Sequence, residues 1–260
     1  MKDNFSSQAS VYARFRPAYP PALIDHLAAL APGRQYAWDC GAGNGQVAVL
    51  LAGHFDRVLA TDISEKQLNE APAHARIRYA REPAEECSAP DGAFDLIVVA
   101  QAIHWFDFGR FYAEVRRVLK PEGVLAVIGY GLFQTDSDAV NALIRHFYAE
   151  IVGPYWDPER RYIDEAYRTI PFPFPKIALP HFAMRYRWTF PALTGYLNTW
   201  SAVQHYRREC GANPVDAIEP ALREAWGGAE ERAVEFPLLL RAGKGGELTD
   251  PALRTRPPDI

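Results

Sequence analysis

A cluster of glycines and carboxylates near residue 40 is the part of the chain best suited to binding a ligand. Residues 39–45 read DCGAGNG, with Gly41, Gly43 and Gly45 at alternate positions, and Asp62 follows one predicted helix and strand later. Glycines let a ligand approach the backbone closely, and amides at a helix start favour polar or anionic groups. A carboxylate at position 62 could accept hydrogen bonds from both ribose hydroxyls. The pattern indicates a site for a nucleoside cofactor.

The spacing of the glycines separates two classes of nucleoside cofactor. The dinucleotide fingerprint is GxGxxG, whereas Gly45 comes one residue early for a pyrophosphate at the helix N-terminus. Asp39, two residues before the first glycine, suits a positively charged amino-acid end better than a diphosphate. S-adenosylmethionine has such an end, and it also has a ribose for Asp62. The sequence therefore favours S-adenosylmethionine over NAD.

The elements that position this loop alternate between strand and helix over residues 22–131. Short apolar runs predict strands, with amphipathic helices between them, at 36–40, 57–62, 77–81, 94–101 and 123–131. This order specifies a parallel sheet with helices on both faces and right-handed crossovers. The glycine loop follows the first strand, so we expect it at the carboxyl end of the sheet, where such folds bind ligands.

Beyond residue 131 the alternation gives way to helices and to two late strand-like runs, near 178–190 and 232–241. We predict an α/β, Rossmann-like, doubly wound sheet of seven strands, mostly parallel with an antiparallel last strand, carrying helical cap insertions. The predicted parts are an N-terminal lid and first helix (1–35), a cofactor-binding core (36–131), substrate-cap helices with the last two strands of the same sheet (132–241), and a flexible tail (242–260).

Several motifs, taken in order, resemble a known family. DCGAGNG and VLATD, followed by AEEC, FDLIVVAQAIHWFD and VLKPEGVLAV, are similar to the motifs of the class I, Rossmann-like S-adenosylmethionine-dependent methyltransferases over residues 10–131. YARFRPAYP and YLNTWSAV resemble the type 11 branch that includes trans-aconitate-type small-molecule methyltransferases. The resemblance implies S-adenosylmethionine as methyl donor, S-adenosylhomocysteine as product and a small-molecule acceptor.

The resemblance also implies a role for each matched residue. Gly41, Ala42 and Gly43 would hold the methionine part, with Asp39 at its ammonium group, and Asp62 would hold the ribose. Ile63, Ala84 and Glu85 would contact the adenine, and Gln101 and Ala102 would face the sulfonium region. Tyr12 and Arg16 would form a lid over the cofactor. Pro83 stands where many relatives carry an acid for the adenine amino group, and Gln67 replaces a commonly apolar residue. The adenine contacts therefore depart from the family pattern.

The methyl acceptor should approach just past the fourth strand, at His104 and Trp105. His104 could deprotonate a hydroxyl acceptor, since the ordinary pKa of histidine lies near neutral pH, or it could only shape the site. A carboxylate acceptor is already ionised and needs no base. We assign Trp105, Tyr130 and Trp200 to the acceptor. Arginines beside aromatic residues in the second half could clamp a carboxylate, which favours an organic acid.

Composition excludes several other classes of protein. A net charge of −4 gives no overall field for nucleic acid, and QAIHW stands where nucleic-acid or amide-nitrogen methyltransferases have an NPPY-like tetrapeptide. The apolar runs are too short to span a bilayer. Three scattered cysteines argue against a disulfide framework, and no metal site is implied because the His, Asp and Glu spacing fits none. We expect a reduced, cytoplasmic monomer or homodimer.

The expected function is transfer of a methyl group from S-adenosylmethionine to a small molecule, most simply to a carboxylate oxygen of an organic acid. Two alternatives stay open at this point. One is a non-catalytic module that binds S-adenosylmethionine or a protein partner, and the other is an NAD-linked oxidoreductase, which the glycine spacing disfavours.

Overall fold

The computed structural model describes residues 15–246, which form two β-sheets surrounded by helices. The larger sheet has seven strands in the order β3-β2-β1-β4-β5-β10-β7, and the smaller has three in the order β6-β9-β8. In chain order the strands are β1 (Tyr36–Cys40), β2 (Arg57–Asp62), β3 (Ile77–Arg81), β4 (Phe94–Ala100), β5 (Leu119–Tyr130), β6 (Gln134–Thr135), β7 (Lys176–Ile177), β8 (Met184–Trp188), β9 (Arg232–Phe236) and β10 (Leu238–Lys244).

Helices cover both faces of the larger sheet and build most of the second half. They are α1 (Pro21–Leu30), α2 (Gln46–Ala52), α3 (Glu65–Asn69), α4 (Phe108–Val118), α5 (Asp138–His146), α6 (Arg161–Asp164), α7 (Phe190–Leu197), α8 (Ser201–Cys210) and α9 (Pro214–Trp226). Single turns of 3₁₀-helix lie at Ile103–Trp105, Gly153–Tyr155 and Pro158–Arg160, and a π-helical turn follows α5 at Phe147–Ile151. No helix within residues 15–246 is long and apolar enough to cross a bilayer.

Hydrophobic strands form the centre of the larger sheet. β1 pairs in parallel with β2 on one side and with β4 on the other. Alternate side chains of β4 enter different hydrophobic layers, with Leu96 and Val98 on one face and Ile97 and Val99 on the opposite face. The chain reverses its direction of strand addition between β1 and β4, so a crevice opens at their carboxyl ends.

A buried carboxylate fixes the opposite, amino end of these strands. Asp95 accepts hydrogen bonds from the backbone amides of Gln35 and Tyr36, and the Nζ of Lys120 lies 2.7 Å from its Oδ1. These contacts join the start of β1 to the starts of β4 and β5. The charge of Lys120 and the two amides stabilise the buried carboxylate.

The predicted fold class is confirmed: the sheet has seven mostly parallel strands, and the last strand along the chain, β10, runs antiparallel to β5. The prediction that both late strand-like runs belong to the seven-stranded sheet was wrong. Pro237 has no N–H for a continuous ladder and divides the run at 232–241 into β9 and β10. β9 pairs with β8 in the smaller sheet. Residues 242–244, predicted to begin the tail, belong to β10, and residues 247–260 lie outside the described chain.

Candidate functional site

The glycine loop leaves β1 through three backbone conformations that favour glycine. Gly41, Gly43 and Gly45 have φ values of 73°, 55° and 79°. A Cβ on Gly41 would lie 2.6 Å from the Cβ of Ala102, and one on Gly45 would lie 2.7 Å from the hydroxyl of Tyr79. Around Gly43, by contrast, a Cβ would meet only a distant side-chain atom. The first and third glycines therefore let the loop pack, and the second faces open space.

Asp62, the last residue of β2, is held rigidly beside this loop. Its Oδ2 accepts a hydrogen bond from the amide of Gly43, and its Oδ1 accepts one from the amide of Ser64, both at 2.9 Å. A carboxylate oxygen has more than one lone pair, so both oxygens can still accept from ligand hydroxyls. The arrangement fits the predicted contact with a ribose.

Asp39 is the most unusual charged group at the loop. Its side chain is fully buried at the wall of the crevice, and neither carboxylate oxygen has a well-formed hydrogen bond within residues 15–246. The pKa of Asp39 is raised to about 7. Burial is the largest cause, the backbone amide of Ala48 partly opposes it, and the negative charge of Asp62 contributes to the rise. An ammonium group at this point would give the carboxylate the partner that the described chain does not provide.

The loop, β2 and β4 enclose a cavity of about 870 Å³, including its open mouth. The cavity brings together eleven of the residues predicted to bind the cofactor or the acceptor: Arg16, Asp39, Gly41, Ala42, Gly43, Asp62, Ile63, Gln101, Ala102, Trp105 and Tyr130. It is also lined by residues that sequence reasoning missed: Pro17, Tyr19, Asn44, Gln46, Val47, Ser64 and Ala100. Gln67, which the resemblance places beside the adenine, lines it too.

Other predicted residues lie elsewhere. Ala84 is buried in the hydrophobic core, and the Oε1 of Glu85 accepts a hydrogen bond from the amide of Asp107, so neither lines the cavity. Trp200 packs its ring against Trp156 and also lies off the cavity wall. Tyr12 falls outside the described residues. The missed residues mostly neighbour the glycine loop and Asp62, and their proximity in sequence was the available signal.

Comparison with known proteins assigns the chain to a family. A family model described as "Methyltransferase domain" matches residues 38–127. A Dictyostelium discoideum protein named as a methyltransferase is 31% identical over 93% of this chain and 95% of its own length. The chain belongs to the S-adenosylmethionine-dependent methyltransferases.

Two further relatives agree with this assignment. An uncharacterised methyltransferase of Mycobacterium tuberculosis is 35% identical over 67% of each chain. A solved structure from Anaeromyxobacter dehalogenans, described as a type II methyltransferase, is 44% identical, covers 90% of this chain and 100% of its own, and has a TM-score of 0.82. The NAD-linked alternative is therefore excluded. We call the cavity beside the glycine loop the donor cavity, because the sequence predicts the methyl donor there.

A second, inner chamber of about 420 Å³, including its open mouth, adjoins the donor cavity of this methyltransferase. Its lining consists of Arg16, Gln101, His104, Trp105, Trp156, Asp157, Arg160, Ile163 and Ser201. Three of these, Arg16, Gln101 and Trp105, line the donor cavity as well, and together they form what we call the shared wall. A molecule in the inner chamber would therefore lie directly against the donor.

Two residues of the shared wall, Arg16 and Gln101, are held in place by Tyr130. The Nη1 of Arg16 donates to the Tyr130 hydroxyl at 3.0 Å, and Nη2 donates to the carbonyl of Thr199 at 3.3 Å. Gln101 adopts a left-handed backbone, with φ of 54°, which is unfavourable for a residue with a side chain. Its carboxamide exchanges two 3.0 Å hydrogen bonds with the backbone of Tyr130, and these bonds hold it there.

Arg160 presents a prepared guanidinium group to the inner chamber. Its Nε donates to the Tyr148 hydroxyl at 2.8 Å and lies 3.6 Å from a carboxylate oxygen of Asp164, while Cζ lies 4.6 Å from the ring centroid of Trp156. Within residues 15–246 its terminal nitrogens make no hydrogen bond. The group is thus oriented by protein contacts and keeps two adjacent donors for a ligand.

His104 lies in the wall of the same chamber and is only 5% exposed. Within the described chain its side chain makes no hydrogen bond. Burial, together with the smaller effect of the positive charges of Arg160 and Arg16, lowers the pKa of His104 to about 3. The imidazole is therefore neutral at physiological pH, and its pKa is far from that of an efficient general base.

The described residues contain no cluster of three histidine, cysteine, aspartate or glutamate side chains that could hold a metal ion.

Proposed function

We propose that this methyltransferase transfers the methyl group to a carboxylate oxygen of a small organic acid. The observation that carries the proposal is the guanidinium of Arg160, which is oriented by Tyr148 and Trp156 and has its terminal nitrogens without protein partners in the described chain. Paired N–H donors on a planar cation match the two oxygens of a carboxylate.

The surroundings of Arg160 support the same class of acceptor. Arg16 adds a second positive charge at the shared wall, and the rings of Trp105 and Trp156 supply apolar surface for the rest of the acid. The two guanidiniums outnumber the single carboxylate of Asp157 in the lining, and this excess of positive charge favours an anionic ligand over a neutral one. We also propose that the acceptor is not a nucleic acid and that the protein is a cytoplasmic monomer or homodimer.

Bound S-adenosylmethionine supplies the methyl group: a carboxylate oxygen forms the new C–O bond while the C–S bond breaks and leaves its electron pair on sulfur. The chain has to hold the carboxylate in line with that bond and exclude water. Arg160 would hold the acid, and the shared wall would set its distance from the donor cavity. We propose no proton transfer by the protein, because the attacking oxygen is already ionised.

The experiment is a screen with isotope-labelled S-adenosylmethionine against small carboxylic acids, each paired with its primary amide and its alcohol. We expect methyl esters, identified by mass spectrometry and by their release on mild base. The Arg160→Gln variant should raise the acceptor KM about tenfold to a hundredfold, the range for charged hydrogen bonds. Arg161→Gln, which alters the neighbouring arginine packed on Tyr162, is the matched control and should leave KM unchanged. Methylation of only amines or alcohols would refute the proposal.

A further inference from the structure

We infer that His104 is a neutral hydrogen-bond donor that positions the acceptor carboxylate and takes no proton during the reaction. This inference rests on the proposed function. His104 lies on the 3₁₀ turn Ile103–Trp105, which directly follows β4 and its left-handed residue Gln101. Its ring therefore reaches the inner chamber from the end of the most buried strand, next to the shared wall.

The ring is oriented by packing, and its polar atoms are left for a ligand. Its centroid lies 4.8 Å from that of Trp105 and 6.3 Å from that of Tyr167. A neutral imidazole has one N–H donor and one acceptor nitrogen, and within residues 15–246 neither is hydrogen-bonded. Buried polar groups are almost always paired in native proteins. A carboxylate accepting from the N–H would supply the pairing.

The groups that face His104 do not suit a general base. A basic histidine is ordinarily oriented by a carboxylate on its other nitrogen, which stabilises the imidazolium. The charged groups lining this chamber are the guanidiniums of Arg16 and Arg160 and the carboxylate of Asp157. Asp157 lies 3.9 Å from the Nδ1 of His205 and makes no hydrogen bond with His104.

The balance of charge and protons in the methyl transfer agrees with this role of His104. A sulfonium cation and a carboxylate anion give a neutral thioether and a neutral ester, and no proton is released at any stage. Donors from His104 and Arg160 would both be satisfied by carboxylate oxygens, whereas the NH₂ of an amide would bring a donor against a donor. The pair therefore selects an acid over its amide, and His104 acts as a specificity residue.

The test compares three variants of the full-length protein: His104→Asn, His104→Gln and His104→Phe. Asparagine and glutamine can donate a hydrogen bond from near the positions of the two ring nitrogens but cannot act as bases. We expect at least one of them to keep the acceptor KM and kcat within about fivefold of wild type. His104→Phe should raise the acceptor KM about tenfold or more and change kcat little, with S-adenosylhomocysteine affinity unchanged in all three.

A wild-type measurement makes the test independent of how the variants fold. At saturating S-adenosylmethionine, kcat/KM for the acid should be flat between pH 6 and 9. A loss of kcat above a hundredfold in all three variants, with normal S-adenosylhomocysteine binding, would overturn the inference. So would an acidic limb in the wild-type profile that disappears in His104→Gln. If the product proves to be an ether or an amine, the proposed function fails by product identity, whereas rescue by asparagine or glutamine still decides the role of His104.

Discussion

Lowering the pH from 8 to 6 should weaken the binding of S-adenosylhomocysteine about tenfold, because Asp39 loses its charge over this interval. The carboxylate is fully buried, lies at the donor cavity and has no well-formed hydrogen bond within residues 15–246. Its predicted partner is the ammonium group of the ligand. Only the ionised carboxylate can form that pair, so the proton and the ligand compete for the same group.

The magnitude follows from the pKa of Asp39, which burial raises to about 7. The ionised fraction is then about 0.9 at pH 8 and about 0.1 at pH 6, and the apparent affinity falls in the same proportion. The effect on stability has the opposite sign. The folded state binds the proton more tightly than the unfolded state, so the free energy of unfolding decreases as the pH rises from about 4 to about 7. The difference from the ordinary value of 3.8 corresponds to about 4 kcal/mol of cost in the ionised, ligand-free protein.

Isothermal titration calorimetry at pH 6, 7 and 8 measures the affinity, and buffers of different ionisation enthalpy report the proton released on binding at pH 6. The Asp39→Asn variant should bind weakly with no pH dependence. Without ligand it should unfold at a higher temperature than wild type at pH 8, because the buried charge is gone. The opposing desolvation of the amide, about 1–3 kcal/mol, leaves the net gain below 4 kcal/mol. A pH-independent wild-type affinity, or an Asp39→Asn variant with wild-type affinity, would refute the reasoning.

Three further predictions test other parts of the structure. Asp62→Ala should weaken S-adenosylhomocysteine binding at least tenfold by calorimetry, and unchanged affinity would remove the ribose assignment. Gly45→Ala should lower the free energy of unfolding by about 1–3 kcal/mol in urea titrations, because a Cβ would lie 2.7 Å from the Tyr79 hydroxyl at a φ of 79°. A neutral effect would show that the loop relaxes freely. Lys120→Met should destabilise the fold by about 3 kcal/mol in urea titrations by leaving Asp95 buried without its cation, and unchanged stability would show that the cation is not needed there.

The first half of the chain could be predicted closely because its signals are local. β1, β2 and β3 occupy the predicted residues, since each is a short apolar run bounded by turn residues. The donor cavity followed from the same segment: the glycine loop, Asp39 and Asp62 are joined by the parallel pairing of β1 with β2. The reversal in the direction of strand addition between β1 and β4 placed the crevice beside this loop.

The second half was less predictable because its contacts are long-range. β8 pairs with β9 across more than forty residues, and nothing in the alternation of either strand identifies its sheet. Glu85 could not be separated by sequence from an adenine ligand, yet its carboxylate accepts from the amide of Asp107 at the start of α4. Arg160 stood out from the other arginines only once Tyr148 and Trp156 were seen to orient it.

The shared wall affects how the binding of the two substrates can be measured. Arg16, Gln101 and Trp105 contact both compartments, so a free-energy change at these side chains enters two equilibria at once. Any coupling between them is reciprocal: if the donor strengthens acceptor binding by some factor, the acceptor strengthens donor binding by the same factor. An acceptor dissociation constant for this enzyme is therefore defined only at a stated donor concentration.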